Sequence, residues 1–238
     1  MEKILEIENI HKIFNQGEHN EVCALKDINL SFAPGELVLI IGNNGSGKST
    51  LLNLIDGRIP QTDGEIKVNG ISIDKLKVYQ RSKFIFRLFQ ETLHGVIRVG
   101  TIRENLSFAN KRQQSYSLTK ALSSKEDEKY FKEVLNEVKP ELVNHLDKKV
   151  FTLSPGERQA LILALLKVQT NSKPQILLAD EPTASLDPDL AEKSFKIIRE
   201  LSSNGWLCLV VTHDQNLIKG KEYSRIIKLK DGGIEYDK

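Results

Sequence analysis

Residues 42–50 read Gly42-Asn43-Asn44-Gly45-Ser46-Gly47-Lys48-Ser49-Thr50, with the spacing Gly-x-x-x-x-Gly-Lys-Ser. Glycines let successive backbone N–H groups turn inward around an anion with no Cβ in the way. Lys48 adds a full positive charge for β- and γ-phosphates, and the Ser49 hydroxyl can ligate a magnesium ion that the phosphates share. Two carboxylates, Asp180 and Glu181, close the strand-like run Gln175–Ala179. In a buried parallel strand, acids belong at the carboxyl end, where open α/β sheets hold their ligands. There Asp180 can orient magnesium through water, and Glu181 can accept a proton from a water that attacks a γ-phosphate. His213 leaves the apolar run Trp206–Val211 and is expected at the same sheet edge. The chemistry these residue types share is nucleotide binding with phosphoryl transfer, although the loop alone also serves kinases, GTPases and motors.

The elements that must position them follow from periodicity. Leu37–Ile41 is an apolar strand leading into the glycine loop, and Leu51–Ile55 continues as a helix whose N-terminal dipole points at the same place. Lys3–Glu8 alternates polar and apolar, and Val22–Phe32, broken at Lys26-Asp27, reads as a second strand of an antiparallel sheet. Phe14 lies between them and, taken alone, is as readily a packing residue as a platform for an adenine. Asp63–Gly70 is a strand between turns, and Phe84–Gln90 is an apolar strand whose terminal Gln90 either opens a surface loop or faces a site. Helical patterns follow over Thr101–Phe108, Ser117–Leu122 and Glu126–Val138. Ser154-Pro155-Gly156-Glu157 then opens a helix, with Ser154 as N-cap, Pro155 at the first position and Glu157 completing a capping box. That reading needs no function, yet the free N–H groups there also suit a phosphate. Asp187-Pro188 caps a further helix, and Asp231-Gly232-Gly233 joins a terminal hairpin. The expected fold class is α/β: a P-loop NTPase core with a mixed sheet, a flanking antiparallel β subdomain and an inserted α-helical subdomain. One domain spans 1–238, with 1–90 and 165–238 as the α/β core and 91–164 as the helical insertion.

Composition removes several classes. With 34 basic against 32 acidic residues the net charge is only +2, so no global field selects nucleic acid, and none is expected as a partner. The longest apolar run, Ala160–Leu166, is far shorter than the roughly 20 residues of a membrane span, and Met1–Glu6 carries no signal-peptide pattern. A membrane role would therefore need another chain. Cys23 and Cys208 have no metal-ligand spacing; both are expected as small core thiols in a reducing, cytoplasmic setting.

Taken in order, the glycine loop, Gln90, Leu153–Glu157, Asp180-Glu181, Ser185-Leu186-Asp187 and His213 resemble the ATP-binding cassette ATPases over essentially the whole chain. The resemblance implies that Phe14 stacks on adenine and that Gly42 to Thr50 hold the phosphates of ATP. It implies that Ser49, Gln90 and Asp180 serve Mg2+ and the attacking water, that Glu181 is the catalytic base and that His213 clamps the γ-phosphate. Ser154, Gly156 and Glu157 would meet the ATP held by a second copy, so the active form would be a head-to-tail homodimer with Ser185 and Asp187 linking its two sites. Integral membrane permease subunits would hold this dimer at the cytoplasmic face of the membrane as a transporter motor. The rival is a soluble cassette ATPase on a scaffold, as in iron–sulphur cluster assembly. The sequence departs from the usual Leu-Ser-Gly-Gly-Gln twice: Pro155 removes a backbone donor, and Glu157 brings a negative charge close to bound phosphate. Ala24-Leu25 looks like lipoprotein-release or macrolide-export ATPases, while Gly100–Leu106 and Gly156–Leu161 look like a group of bacterial importers.

Overall fold

The computed structural model describes residues 2–89, 95–111, 124–169, 175–184, 186–220 and 222–238. Gln90, Ser185 and the helix expected over Ser117–Leu122 lie outside the described residues. The chain divides into two compact units. The first comprises Met1–Arg87, Pro174–Glu181 and Ser202–Lys238; the second comprises Leu88–Lys173 and Pro182–Leu201.

The first unit carries two sheets. An antiparallel sheet runs in the order β2 (Val22–Phe32), β1 (Leu5–Phe14), β4 (Asp63–Val68), β5 (Ile71–Ser72). A mixed sheet runs β10 (Gly233–Asp237), β9 (Arg225–Lys230), β3 (Leu37–Ile41), β8 (Leu207–Val211), β7 (Ile176–Asp180), β6 (Ile85–Leu88). In it β3 is parallel to both β8 and β9, and β7 is parallel to β8, so these strands present their carboxyl ends together. β3, β7 and β8 are apolar and buried nearly throughout, as strands covered on both faces must be.

β1 is longer than the Lys3–Glu8 alternation indicates. Asn9 adopts φ 50°, and the ladder to β2 shifts register between Ile7 and Ile10. The inserted residue flips the buried positions from Leu5 and Ile7 to Ile10, and a strict period of two ends there although the strand goes on. Asp27 at φ 52° on β2 has the same effect, so the break read at Lys26-Asp27 is an irregularity inside one strand. The helix after the glycine loop, α1 (Lys48–Ile55), places Leu51, Leu52, Leu54 and Ile55 in one buried cluster with residues of both sheets, including Leu25, Ile28, Leu178 and Leu209.

The second unit is helical. α3 (Ile102–Asn110), α4 (Lys125–Val138) and α5 (Pro155–Gln169) pack on one another, and each begins with a reciprocal capping box. Thr101 pairs with Glu104, Ser124 with Asp127 and Ser154 with Glu157; in each the hydroxyl accepts the acid's N–H and the acid accepts the cap's N–H. Ala160–Leu166 are all buried, which makes α5 an interior helix rather than an amphipathic one. The expected boundary at 164/165 falls inside this helix; the chain re-enters the first unit at Pro174, and α6 (Pro188–Ser203) belongs to the helical unit through Leu201. Asp187 caps α6, its Oδ1 accepting the Leu190 N–H at 3.0 Å. Two further short helices are α2 (Val78–Arg81) and α7 (Gln215–Gly220).

Candidate functional site

The glycine loop leaves β3 at Ile41 and reaches α1 at Lys48. Gly42 has φ 149°, and a Cβ there would lie 2.3 Å from the Leu229 carbonyl oxygen. Gly47 has φ 101°, and its Cβ would lie 2.7 Å from the Ala24 carbonyl oxygen. Both dihedral and space therefore demand glycine at the two ends of the loop. Lys48 is only 6 % exposed, and its Nζ donates to the carbonyl oxygens of Gly42 at 2.8 Å and Asn43 at 2.9 Å. Burial lowers the pKa of Lys48, and the Glu181 and Asp180 carboxylates oppose that shift by favouring its charge. At the far end of α1, buried Arg81 donates through Nη1 to the carbonyls of Leu54 at 2.8 Å and Ile55 at 3.0 Å, and through Nε to Leu76 O at 3.1 Å. A cation on the last carbonyls pins the helix and complements its dipole, which leaves the positive end directed at the loop.

Asp180 ends β7 and Glu181 follows it. The Ser49 hydroxyl lies 3.5 Å from Asp180 Oδ1, while Arg87 Nη2 donates to Asp180 Oδ2 at 2.9 Å. Arg87, on β6, also lies 4.0 Å from the Asp56 carboxylate at the end of α1. Burial lowers the pKa of Arg87 and raises that of Asp56, each opposed by the charge of the other. Glu181 sits at φ 49°, a left-handed conformation that glutamate rarely adopts, with its N–H held by Val211 O at 2.9 Å. That turn carries its Oε1 to 3.5 Å from His213 Nε2.

The glycine loop, Glu181 and His213 share one cleft of about 480 Å³, lined by Asn44, Gly45, Gly47–Thr50, Glu181 and His213 together with Val22–Ala24, Asp231 and Gly232; Asp180 is not among the lining residues and meets the cleft through Ser49. Phe14 is not among the lining residues; it stands beside the cleft, paired across the ladder with Val22, and Lys12 Nζ lies 4.8 Å from its ring centroid. Gly42 and Asn43 form the start of the loop, and the Ser46 side chain is buried behind it. Ser154, Gly156 and Glu157 belong to the second unit, where Ser154 is exposed at the start of α5. Glu157 there accepts from Lys148 Nζ at 2.9 and 3.2 Å, and the Ser154 backbone N–H, with Lys148 second, holds its pKa below the usual glutamate range.

Two expectations change. Cys208 is a buried core thiol, but Cys23 is exposed, because the first three residues of β2 lie outside the buried part of the strand. The charge of Glu157 is balanced by Lys148, a residue with no motif to mark it. Arg87 was likewise invisible, since one basic residue in an apolar strand does not announce a partner 93 positions away.

Ser49 and Asp180 offer two hard oxygen donors side by side, short of the six that Mg2+ needs, so they fit the ion only where phosphate and water complete the shell.

Comparison with known proteins gives the family and the fold. The ABC transporter family matches residues 25–184. A tyrosine transport ATP-binding protein of Clostridioides difficile is 36% identical over 98% of this chain and 91% of its own length. The lipoprotein-releasing system ATP-binding protein LolD of Francisella tularensis is 33% identical over 98% of this chain and 96% of its own. Among solved structures, the dimeric post-hydrolysis state of the cassette MJ0796 of Methanocaldococcus jannaschii, bound to ADP and Pi, superposes with a TM-score of 0.80 at 30% identity, covering 99% of this chain and 98% of the other.

Proposed function

This chain belongs to the ABC transporter family, and from that premise we propose that it is the ATP-hydrolysing subunit of a transporter, acting as a head-to-tail pair of identical copies. The observation that carries the reading is the cleft that gathers the glycine loop, Glu181 and His213 at the carboxyl ends of parallel strands. In this reading the loop from Gly42 to Thr50 and the Lys48 ammonium hold the phosphates of ATP, with Phe14 stacking on adenine beside the cleft. Ser49 and Asp180 would hold Mg2+, with Gln90 assigned from the sequence alone, and the ion would supply charge neutralisation at the phosphate oxygens. Glu181 takes the proton of the attacking water as the new P–O bond forms and the bond to ADP breaks, and His213 orients the γ-phosphate and sits in contact with the base. Ser154, Gly156 and Glu157 face the ATP of the other copy, and Asp187 lies at the seam, with Ser185 assigned there from the sequence alone.

The dimeric state of the Methanocaldococcus jannaschii cassette supports the pairing. Integral membrane permease subunits complete the machine. Relatives named for transport and lipoprotein release support them. The chain then works as a peripheral subunit on the cytoplasmic side. ATP contacts that exist only in the closed pair hold it shut, and splitting off the γ-phosphate releases it.

The test is Glu181→Gln. Loss of a general base lowers steady-state hydrolysis by roughly a hundredfold or more, and an ATP-bound dimer accumulates, read by light scattering after gel filtration in ATP. Hydrolysis at the wild-type rate overturns the assignment of the base.

A further inference from the structure

The start of α5 carries a charge that its position in the proposed dimer disfavours. Glu157 stands three residues after Ser154, on the face that would receive the γ-phosphate of the second copy's ATP, and a carboxylate there meets a polyanion. The structure turns that carboxylate away from an outward role. Its Oε2 accepts the Ser154 N–H at 2.7 Å, and both oxygens accept from Lys148 Nζ, at 2.9 and 3.2 Å. The Ser154 hydroxyl in turn accepts the Glu157 N–H at 3.2 Å.

Lys148 is delivered from an anchored backbone. Its N–H donates to His145 O at 2.9 Å, and its carbonyl accepts from Ile102 N at 3.1 Å, which ties it to the first turn of α3. The next residue, Lys149, bridges to Thr101, the N-cap of the same helix. Lys148 and Glu157 are each less than one third exposed as side chains, so solvent screens the pair only in part.

We infer that Lys148 is a positioning residue for the dimer-forming step: it neutralises Glu157 and fixes it back over α5, so that the helix start can approach the second copy's ATP. The inference rests on the head-to-tail reading above. It makes Lys148 the counterpart of a glutamate where a neutral glutamine would need none. The phosphate is met by the Ser154 hydroxyl and the Gly156 N–H, since Pro155 has no N–H and the Glu157 N–H is held by Ser154, and Lys148 acts on it only through Glu157.

The experiment uses the full chain in the Glu181→Gln background and measures the dimerisation constant in ATP by analytical ultracentrifugation, alongside ATP affinity of the monomer by fluorescent-nucleotide titration. Lys148→Met weakens ATP-driven dimerisation by about tenfold or more, since an unbalanced like charge is brought against phosphate; monomer affinity for ATP stays the same. Lys148→Arg keeps dimerisation within about threefold. The double variant Lys148→Met/Glu157→Gln recovers it, although no ion pair is restored. A Lys148→Met variant that dimerises as the background does overturns the inference. So does a double variant no better than the single, which is the result expected if Lys148 merely braces the fold or touches phosphate itself. Absence of any ATP-dependent dimer in the background would instead overturn the head-to-tail reading.

Discussion

Arg87→Met tests how the strand ends are held. The guanidinium is 8 % exposed and Asp180 15 %, with Nη2 and Oδ2 at 2.9 Å; Asp56, 6 % exposed, lies 4.0 Å from Nε on the other side. Two unit charges with centres about 4 Å apart attract by about 4 kcal/mol at an effective dielectric of about 20. Removing one member of a buried pair costs about 3–5 kcal/mol, because the other charge stays behind. Asp56 retains Arg58 Nε at 3.3 Å, so the greater part of the loss falls on Asp180. Methionine fills much of the same volume, which keeps a cavity term small. In a chain of this size a loss of about 3–5 kcal/mol lowers the melting temperature by about 6–20 °C. The assay is a double-mutant cycle of Arg87→Met and Asp180→Asn, read by thermal and urea unfolding. With Asp180 neutral there is little charge left to strand, so Arg87→Met costs about 2 kcal/mol less in that background. If the two changes add within about 0.5 kcal/mol, or Arg87→Met alone costs less than about 1 kcal/mol, the pair does not hold the site and the reasoning is wrong.

Two further outcomes follow from Cys23 on β2 and Glu157 at the start of α5. Cys23 lines the cleft and is exposed, whereas Cys208 is buried and burial pushes its thiol pKa up, so a maleimide adds once to the native protein, at Cys23. Saturating ATP slows that addition, measured by intact mass against time; a rate indifferent to ATP would separate Cys23 from the nucleotide. Glu157 has a folded pKa below its ordinary value of about 4.5, so its contribution to stability is present above that value and is lost as pH falls through the lower, folded one. The difference in melting temperature between wild type and Glu157→Gln is therefore steady near neutrality and closes under acid; a difference that widens on acidification contradicts the sign.

The parts of the fold that were legible in the sequence are those written in local spacing. The β3–loop–α1 unit, the Ser154/Glu157 box and the Asp187 cap each depend on residues within a few positions of one another, and each stands as read. The site residues that escaped are held by distant partners. Arg87 meets Asp180 across two strands brought together only by the sheet, and Lys148 meets Glu157 from the turn before α5. Conformation escaped as well as contact. Asn9 and Asp27 carry bulges that no alternation announces, and Glu181 takes a backbone shape that its side-chain chemistry gives no reason to expect. Cys23 was misjudged because composition says that thiols are buried, while its place near the end of a strand decides that this one is not.

The φ of 49° at Glu181 also limits what mutation can do there. Among the residues one nucleotide away from a glutamate codon, glycine and aspartate accept a left-handed backbone most readily, whereas valine, branched at Cβ, is disfavoured. A lineage that gave up hydrolysis but kept the cassette folded would drift to glycine or aspartate at this position more readily than to valine. The backbone thus leaves a legible trace of lost activity, one that a survey of inactive copies would find in the identity of a single residue.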